Sequence, residues 1–155
     1  MREKEAKIIL ANFLSTYKLN SKLFGDRPKV EIAESNDVRL FFVNDVPHIF
    51  EVGNSLYPTL LSGELLRKLP VVAVDLGAIP HLCNGADVMA PGIRKIEGSF
   101  SKGSLVLVVD ERYGKPIAVG LAEIRSDEAS GMKKGKAVRN VHFVGDRIWQ
   151  AVRGK

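Results

Sequence analysis

Along residues 2–17, Ala6, Ile9, Leu10, Phe13, Leu14 and Tyr17 recur at steps of three and four, while Arg2, Glu3, Lys4 and Lys7 fall mostly off that stripe. This spacing predicts an amphipathic helix. Asn20-Ser21-Lys22 and Gly25-Asp26-Arg27-Pro28 then break the pattern with turn-forming residues. Three β-rich runs follow at 29–33, 38–43 and 46–52, separated by turn signals at Ser35-Asn36-Asp37 and Asn44-Asp45. The Asn44-Asp45 step predicts a tight hairpin. From 57 to 68, Leu60, Leu61, Leu65 and Leu66 predict a second helix, with Pro58 in its first turn. Together these elements form an α+β unit that closes at Lys68-Leu69-Pro70.

Beyond Pro70 the pattern changes. Residues 71–74 form a strand by β-branched density, and 77–82 allow one or two helical turns. Runs at 87–93, 105–109, 117–124, 137–144 and 147–152 read as strands, each bounded by Gly, Asp or Lys. Short strands roughly ten residues apart predict a small closed or nearly closed β-structure. Residues 126–132 read as a polar insert with Ser126 at its N-cap and Gly131 near its C-terminus. No internal repeat relates the halves. The expected fold class is α+β, with an α+β domain at 1–69 and a β domain at 70–155.

Composition narrows the class. The 155 residues are 45% hydrophobic and 26% charged, with 7 Pro and 14 Gly, which excludes disorder as the main state. The longest apolar runs, at 71–74 and 105–109, fall far short of the ~20 residues a spanning helix needs. Met1-Arg2-Glu3-Lys4-Glu5 is too charged for the apolar core of a signal peptide. Cys83, the single cysteine, forms no internal disulfide and suits a reducing compartment. A soluble, cytoplasmic protein without a membrane partner is expected.

Charge adds a direction. The net charge is +5, but residues 1–70 hold 10 basic and 9 acidic side chains, whereas 71–155 hold 13 and 9. An excess of +4 in the second half suits a polyanionic partner, and equally a solubilising surface.

Catalytic signatures are thin. There is no G-x-G-x-x-G, and residues 131–137 lack both the spacing and the Ser/Thr of a P-loop. Ser99-Phe100-Ser101-Lys102 matches S-x-x-K without its companion motifs. His48, His81 and His142 are scattered, and His81 with Cys83 lacks a second ligand pair for a metal. Asp110-Glu111 and Asp127-Glu128 sit beside turn signals as solvated turn residues. No nucleophile–base pair stands out, and neither a metal nor a cofactor is expected.

The informative stretch runs from Val74-Asp75-Leu76-Gly77-Ala78-Ile79 to Gly85-Ala86-Asp87-Val88-Met89-Ala90-Pro91-Gly92-Ile93. It reads as a strand, a short helix that Asp75 caps and Gly85 ends, and a second strand bent by Pro91-Gly92. Arg94 and Lys95 follow at once and place positive charge beside bare backbone. A tight barrel corner explains the glycines but not that charge.

These residues resemble the PUA domain, the RNA-binding module named for pseudouridine synthases and archaeosine transglycosylases. The resemblance continues through Lys102-Gly103, residues 105–109 and Ile117-Ala118-Val119-Gly120. Leu56-Tyr57-Pro58-Thr59-Leu60, then Gly135-Lys136-Ala137, Asn140-Val141-His142, Gly145-Asp146 and Trp149, are similar to the malignant T-cell amplified sequence family, whose two-domain core also begins ligatin. The chain looks like an archaeal-type homologue of that family.

The resemblance implies a PUA pseudo-barrel behind a pre-PUA domain, with an RNA groove between the first helix with its glycine loop and the last strand. Gly77, Ala78, His81, Asn84, Gly85, Ala86 and Asp87 would line one wall. Arg147 and the end of the last strand would approach the other. Leu76 and Pro80 depart from the polar residues usual in relatives, and Lys95, Lys133, Lys134 and Lys136 offer charge instead. Arg94, Lys95, Lys134, Lys136 and Arg147 are the expected phosphate contacts, with amides of the 84–87 loop also turned to phosphate.

For single residues, Asp75 and Asp87 are read as caps and turn formers rather than acids. His81 either meets RNA or packs on the barrel. His142 is structural, Trp149 belongs to the core, and Lys133-Lys134-Lys136 is either a solvated loop or a phosphate clamp. The function implied is non-enzymatic binding of tRNA or small-subunit rRNA in translation, as in an initiation or recycling factor, with the small ribosomal subunit and a translation-factor protein as partners. The alternative is an RNA-binding accessory subunit of a tRNA or rRNA modification enzyme. A catalytic N-terminal domain lacks the polar constellation it would need.

Overall fold

The structure, a computed structural model, describes residues 2–35 and 37–153. Asn36, in the expected turn Ser35-Asn36-Asp37, lies outside the described residues. The chain divides into two compact units, Met1–Lys68 with Gln150–Lys155, and Leu69–Trp149.

In the first unit the helix α1 (Arg2–Thr16) precedes β1 (Val30–Ser35), β2 (Val38–Val43), β3 (Val46–Val52) and β4 (Ser55–Pro58). The strands pair in chain order as an antiparallel meander. The stripe read from the sequence is the face that α1 buries: Ala6, Leu10, Phe13 and Leu14 join Val30, Phe41, Val43 and Ile49 in one cluster. Asn44 and Asp45 take φ of 50° and 70° and close a two-residue hairpin with Val43 opposite Val46.

The helix expected over 57–68 is mostly absent. Tyr57 and Pro58 end β4, and helix is confined to α2 (Gly63–Leu66). Tyr57 stands opposite Phe50 with the ring centroids 5.6 Å apart, so cross-strand packing overrides the leucine spacing. Ser62 caps α2 by accepting from the Leu65 amide at 3.2 Å.

The second unit begins with β5 (Val71–Val74), the 3₁₀ turn η1 (Leu76–Ala78) and α3 (Ile79–Leu82). The run expected as one strand over 87–93 divides into β6 (Val88–Met89), a second 3₁₀ turn η2 (Ala90–Gly92) and β7 (Ile93–Glu97). Pro91 interrupts it, and β7 runs on to Glu97, with a register shift at Ala73/Val74 that lets Ile93 and Ile96, three apart, pair with Val74 and Val72 and so breaks the simple strand alternation. Then come β8 (Leu105–Asp110), β9 (Pro116–Ala122), α4 (Ser126–Gly131) and β10 (Lys136–Phe143).

These strands make one sheet in the order β6-β10-β9-β8-β5-β7, antiparallel except for β5 with β8. Laid flat, six strands would hold β6 and β7 about 24 Å apart. Only the three residues of η2 join them, and three residues reach ~10 Å. The sheet must therefore curl until its edges meet. Val72, Val74, Leu82, Val88, Val106, Val108, Ile117 and Val138 fill its interior.

Residues 147–152, expected as the last strand, form the helix α5 (Arg147–Arg153). The buried Ile148 and Val152 are four apart, and an Asp146 carboxylate oxygen accepts from the Trp149 amide at 2.8 Å, which is helix period behind a helix cap. From Gln150 onward the chain groups with the first unit, not with the domain expected at 70–155. Ser126 is not the cap of α4. Arg125 stands there, its amide held by Glu128 at 3.2 Å, while the Ser126 hydroxyl meets the amide and carbonyl of Phe100. Among the described residues no helix is long and apolar enough to cross a membrane.

Candidate nucleic-acid interface

The glycine turn is organised from beneath. Gly85 ends α3 with φ +94°, a conformation that any side chain strains, and a Cβ there would meet the Phe143 ring at 3.6 Å. The amides of Asn84 and Ala86 bond the His81 carbonyl, and that of Gly85 bonds the Leu82 carbonyl. The expectation that these amides face a phosphate is corrected accordingly: they terminate the helix. Outward, the turn presents the side chains of His81 and Asn84 and the bare surface of Gly85 and Ala86, all exposed.

Asn140 on β10 clamps this turn. Its side-chain amide donates to the carbonyls of Leu82 at 3.0 Å and Ala86 at 2.9 Å, and its backbone N–H donates to the Asp87 carboxylate at 2.8 Å. The second Asp87 oxygen lies 2.9 Å from Lys136 Nζ. Burial works to raise the pKa of Asp87, but the Asn140 amide and the Lys136 ammonium outweigh it and hold the carboxyl below its usual range. Asp87 thus ties a turn to a strand, as a turn former should.

Beside it, η1 and η2 approach closely. A Cβ at Gly92 would stand 3.9 Å from that of Ala78. A small cavity of about 80 Å³ opens between them, floored by Val74, Leu82 and Val88 and edged by Ala78, Asp87, Met89 and Gly92. Met89 at its edge is 48% exposed, and Leu76 on η1 is 42% exposed. Asp75 stands at the N-cap of η1, but its carboxylate makes no cap bond. It lies instead 3.6 Å from Arg94, whose guanidinium also reaches Glu111 at 3.8 Å and donates to the Pro91 carbonyl at 2.9 Å.

The structure therefore brings Gly77, Ala78, His81, Asn84, Gly85, Ala86, Asp87 and Lys136 onto one surface, with Arg94 at its η1 side and exposed Lys134 in the loop entering β10. Lys95, on β7, is paired with Glu97 at 3.1 Å instead, and among the described residues no hydrogen bond or ion pair joins it to this surface. Arg147 opens α5 rather than ending a strand, so β10, with Asn140 and Phe143, is what backs the turn. His142 is fully buried, with Nδ1 3.0 Å from both Asp146 oxygens, and Trp149 is half-buried. Asn140 is the residue that sequence reasoning missed. Its signal is an amide inside a β-rich run, at a register shift between β10 and β9.

A family model for the PUA domain matches residues 70–144, and one described as a domain of unknown function (DUF1947) matches residues 1–68. The uncharacterized protein MJ1432 of Methanocaldococcus jannaschii is 38% identical over 152 residues, covering 96% of this chain and 93% of that protein. Translation machinery-associated protein 20 of Schizosaccharomyces pombe is 34% identical over 103 residues, covering 61% of this chain and 57% of that one. Malignant T-cell-amplified sequence 1-B of Xenopus laevis is 28% identical over 127 residues, covering 77% and 65%. A crystallised PUA domain from Aeropyrum pernix K1, in complex with tartrate, superposes with a TM-score of 0.82 at 30% identity over 97% of this chain and 88% of that one. A curled six-stranded sheet with a clamped glycine turn, behind a separate α+β unit, defines a two-domain PUA protein. The chain belongs to the PUA-domain family of MJ1432, which is related to translation machinery-associated protein 20 and malignant T-cell-amplified sequence 1-B.

Proposed function

We propose that this protein is a non-enzymatic, cytoplasmic RNA-binding protein of translation that holds tRNA or small-subunit rRNA on the surface formed by η1, α3, the turn at 84–87 and the start of β10. The observation that carries this is the exposed, nearly side-chain-free surface at Gly77 and Gly85-Ala86, framed by Lys134, Lys136 and Arg94 on a PUA sheet. Side-chain-free backbone admits a sugar-phosphate chain closely, and the flanking cations fix its register. With the turn amides committed to α3, polar contact falls to His81, Asn84 and the lysines. A single-stranded end or loop fits this surface best, because its bases are free to be splayed out. Asp87, held ionised by Lys136 and Asn140, supplies no proton for chemistry.

The small ribosomal subunit and a translation-factor protein are the partners this reading implies, in keeping with the name of the fission-yeast relative. Crosslinking the full chain to RNA in cells and sequencing the bound species tests it. Enrichment of tRNA or small-subunit rRNA supports the reading. Recovery of guide RNAs with a modification enzyme would replace it by the accessory-subunit alternative.

A further inference from the structure

We infer that Tyr113, at the tip of the β8–β9 hairpin, is a second RNA contact that stacks one unpaired nucleobase beside the surface described above; this rests on the RNA reading. Tyr113 is 77% exposed, the most exposed of the large hydrophobic side chains among the described residues. Leaving an aromatic ring in water forgoes its burial, so a ring carried outward on a hydrogen-bonded turn points to something that covers it.

The tip is rigid. The buried Asp110 carboxylate accepts from the amides of Arg112 at 2.9 Å, Tyr113, and Lys115 at 3.0 Å, while its carbonyl accepts from Gly114 at 3.1 Å. One side chain thus fixes the backbone of the tip, so that binding has only the Tyr113 side chain left to order. The Arg112 guanidinium sits 5.2 Å from the ring centroid. Neither Arg112 nor Lys115 makes an ion pair among the described residues, and Glu111, the exposed acid of the tip, faces Arg94. A ring flanked by uncommitted cations has the chemistry of a base platform with adjacent phosphate contacts.

The tip also stands where an RNA on the first surface would reach it. Parallel pairing sets Asp110 opposite Val74, and the Glu111 amide donates to the Val74 carbonyl at 3.0 Å. Arg94 then bridges Glu111 and Asp75. The hairpin tip is therefore continuous with Asp75-Leu76-Gly77, and a strand leaving Gly77 along this edge meets Tyr113 next.

The experiment uses the full chain and two probes, a fluorescein-labelled oligo(A) and its duplex with oligo(U), against wild type, Tyr113→Ala and Tyr113→Phe. Oligo(A) affinity should fall roughly fivefold or more in Tyr113→Ala and persist in Tyr113→Phe, with the duplex bound alike by all three, since duplex bases have no free face. Melting temperatures should match, because the amide that Asp110 holds remains. Unchanged oligo(A) affinity in Tyr113→Ala, or equal losses on both probes, overturns the stacking role while leaving RNA binding intact. A wild type that binds neither probe overturns the RNA reading itself, and this inference with it.

Discussion

The two units hold matching numbers of acidic residues but use them differently. In the first, Lys7, Lys22, Lys29, Arg39 and Arg67 each face a carboxylate, at Glu3, Asp26, Asp45, Glu51 and Glu64. In the second, of the lysines and arginines only Arg94, Lys95, Arg125 and Lys136 do so; among the described residues Lys102, Arg112, Lys115, Lys133, Lys134, Arg139 and Arg147 make no ion pair, against Lys4, Lys18, Arg27 and Lys68 in the first. Exposed pairs contribute ~0–1 kcal/mol to stability, so the difference concerns the outward field more than the fold. Net charge does not carry the contrast: residues 69–149 hold 11 basic and 9 acidic side chains, an excess of +2, against +3 in the first unit. What matters is how much positive charge each surface leaves uncommitted.

The units also differ in construction, and the largest predicted effect follows from that. The first is a meander of sequential hairpins, whereas the second closes through non-sequential pairing. Where β9 pairs with β10 at the register shift opposite Asn140, a Cβ at Gly120 would lie 2.4 Å from a Val138 methyl and 2.6 Å from the Arg139 carbonyl oxygen. Gly120→Ala should destabilise the second unit by about 3 kcal/mol, the upper range for overpacking, because backbone cannot yield as a side-chain tip does. Amide exchange should show β8, β9 and β10 losing protection while β2 and β3 keep theirs. Equal loss in both would mean that the two units unfold as one.

Acid should separate the units next. Burial lowers the pKa of His48, with Glu64 opposing, so this ring in the first unit stays neutral when folded and takes up its proton more readily when unfolded. Its contribution is full above about pH 6.5 and drains as pH falls towards the depressed value, by at most about 1.4 kcal/mol per pH unit. In the second unit burial raises the pKa of Asp146, but the His142 ring and the amides of Trp149 and Phe143 outweigh it; Asp110 is lowered chiefly by the Tyr113 amide. Those contributions persist down to about pH 4 and are lost below it. Protection of β2 and β3 should decline between pH 7 and 5 while that of β8 and β9 holds, and His48→Gln should remove the decline.

Much of this was legible in the sequence, and the exceptions share a cause. The α1 stripe, the Asn44-Asp45 hairpin and the glycine-turn motif are local signals, and local geometry realises them. The helix expected over 57–68 failed because Tyr57 answers to Phe50 across the sheet. The strand expected at 147–152 is a helix because Ile148 and Val152 stand four apart behind the cap at Asp146, so a short apolar run bounded by turn residues does not by itself distinguish strand from helix. The site's own clamp, Asn140, lies 54 residues along the chain from the Ala86 carbonyl it holds, a distance no local pattern bridges.

Gly85 then tests whether the glycine turn is contact or architecture. Its φ of +94° predicts that Gly85→Ala costs about 1 kcal/mol and Gly85→Val more, while close passage of a sugar-phosphate chain over this bare surface predicts that Gly85→Val lowers RNA affinity beyond the loss of folded protein. Melting and binding measured on the same sample decide it. Binding lost with the melting transition intact would show that the ligand touches Gly85 itself.

The smallest effect bears most directly on the contrast in charge. Lys133→Ala with Lys134→Ala removes two uncommitted cations from the loop entering β10; Lys22→Ala with Lys29→Ala removes two paired ones from the first unit. Net charge falls equally in both variants, so a purely global field predicts equal losses of RNA affinity. A local interface does not. Each phosphate contact to a single strand adds roughly −0.7 to the slope of log K against log salt, so the Lys133/Lys134 variant should flatten that slope by up to about 1.4. The Lys22/Lys29 variant should leave it unchanged, and neither should shift the melting temperature appreciably, since all four side chains are exposed. Equal flattening in both variants would dissolve the division of labour between the units and spread the RNA footprint over the whole chain.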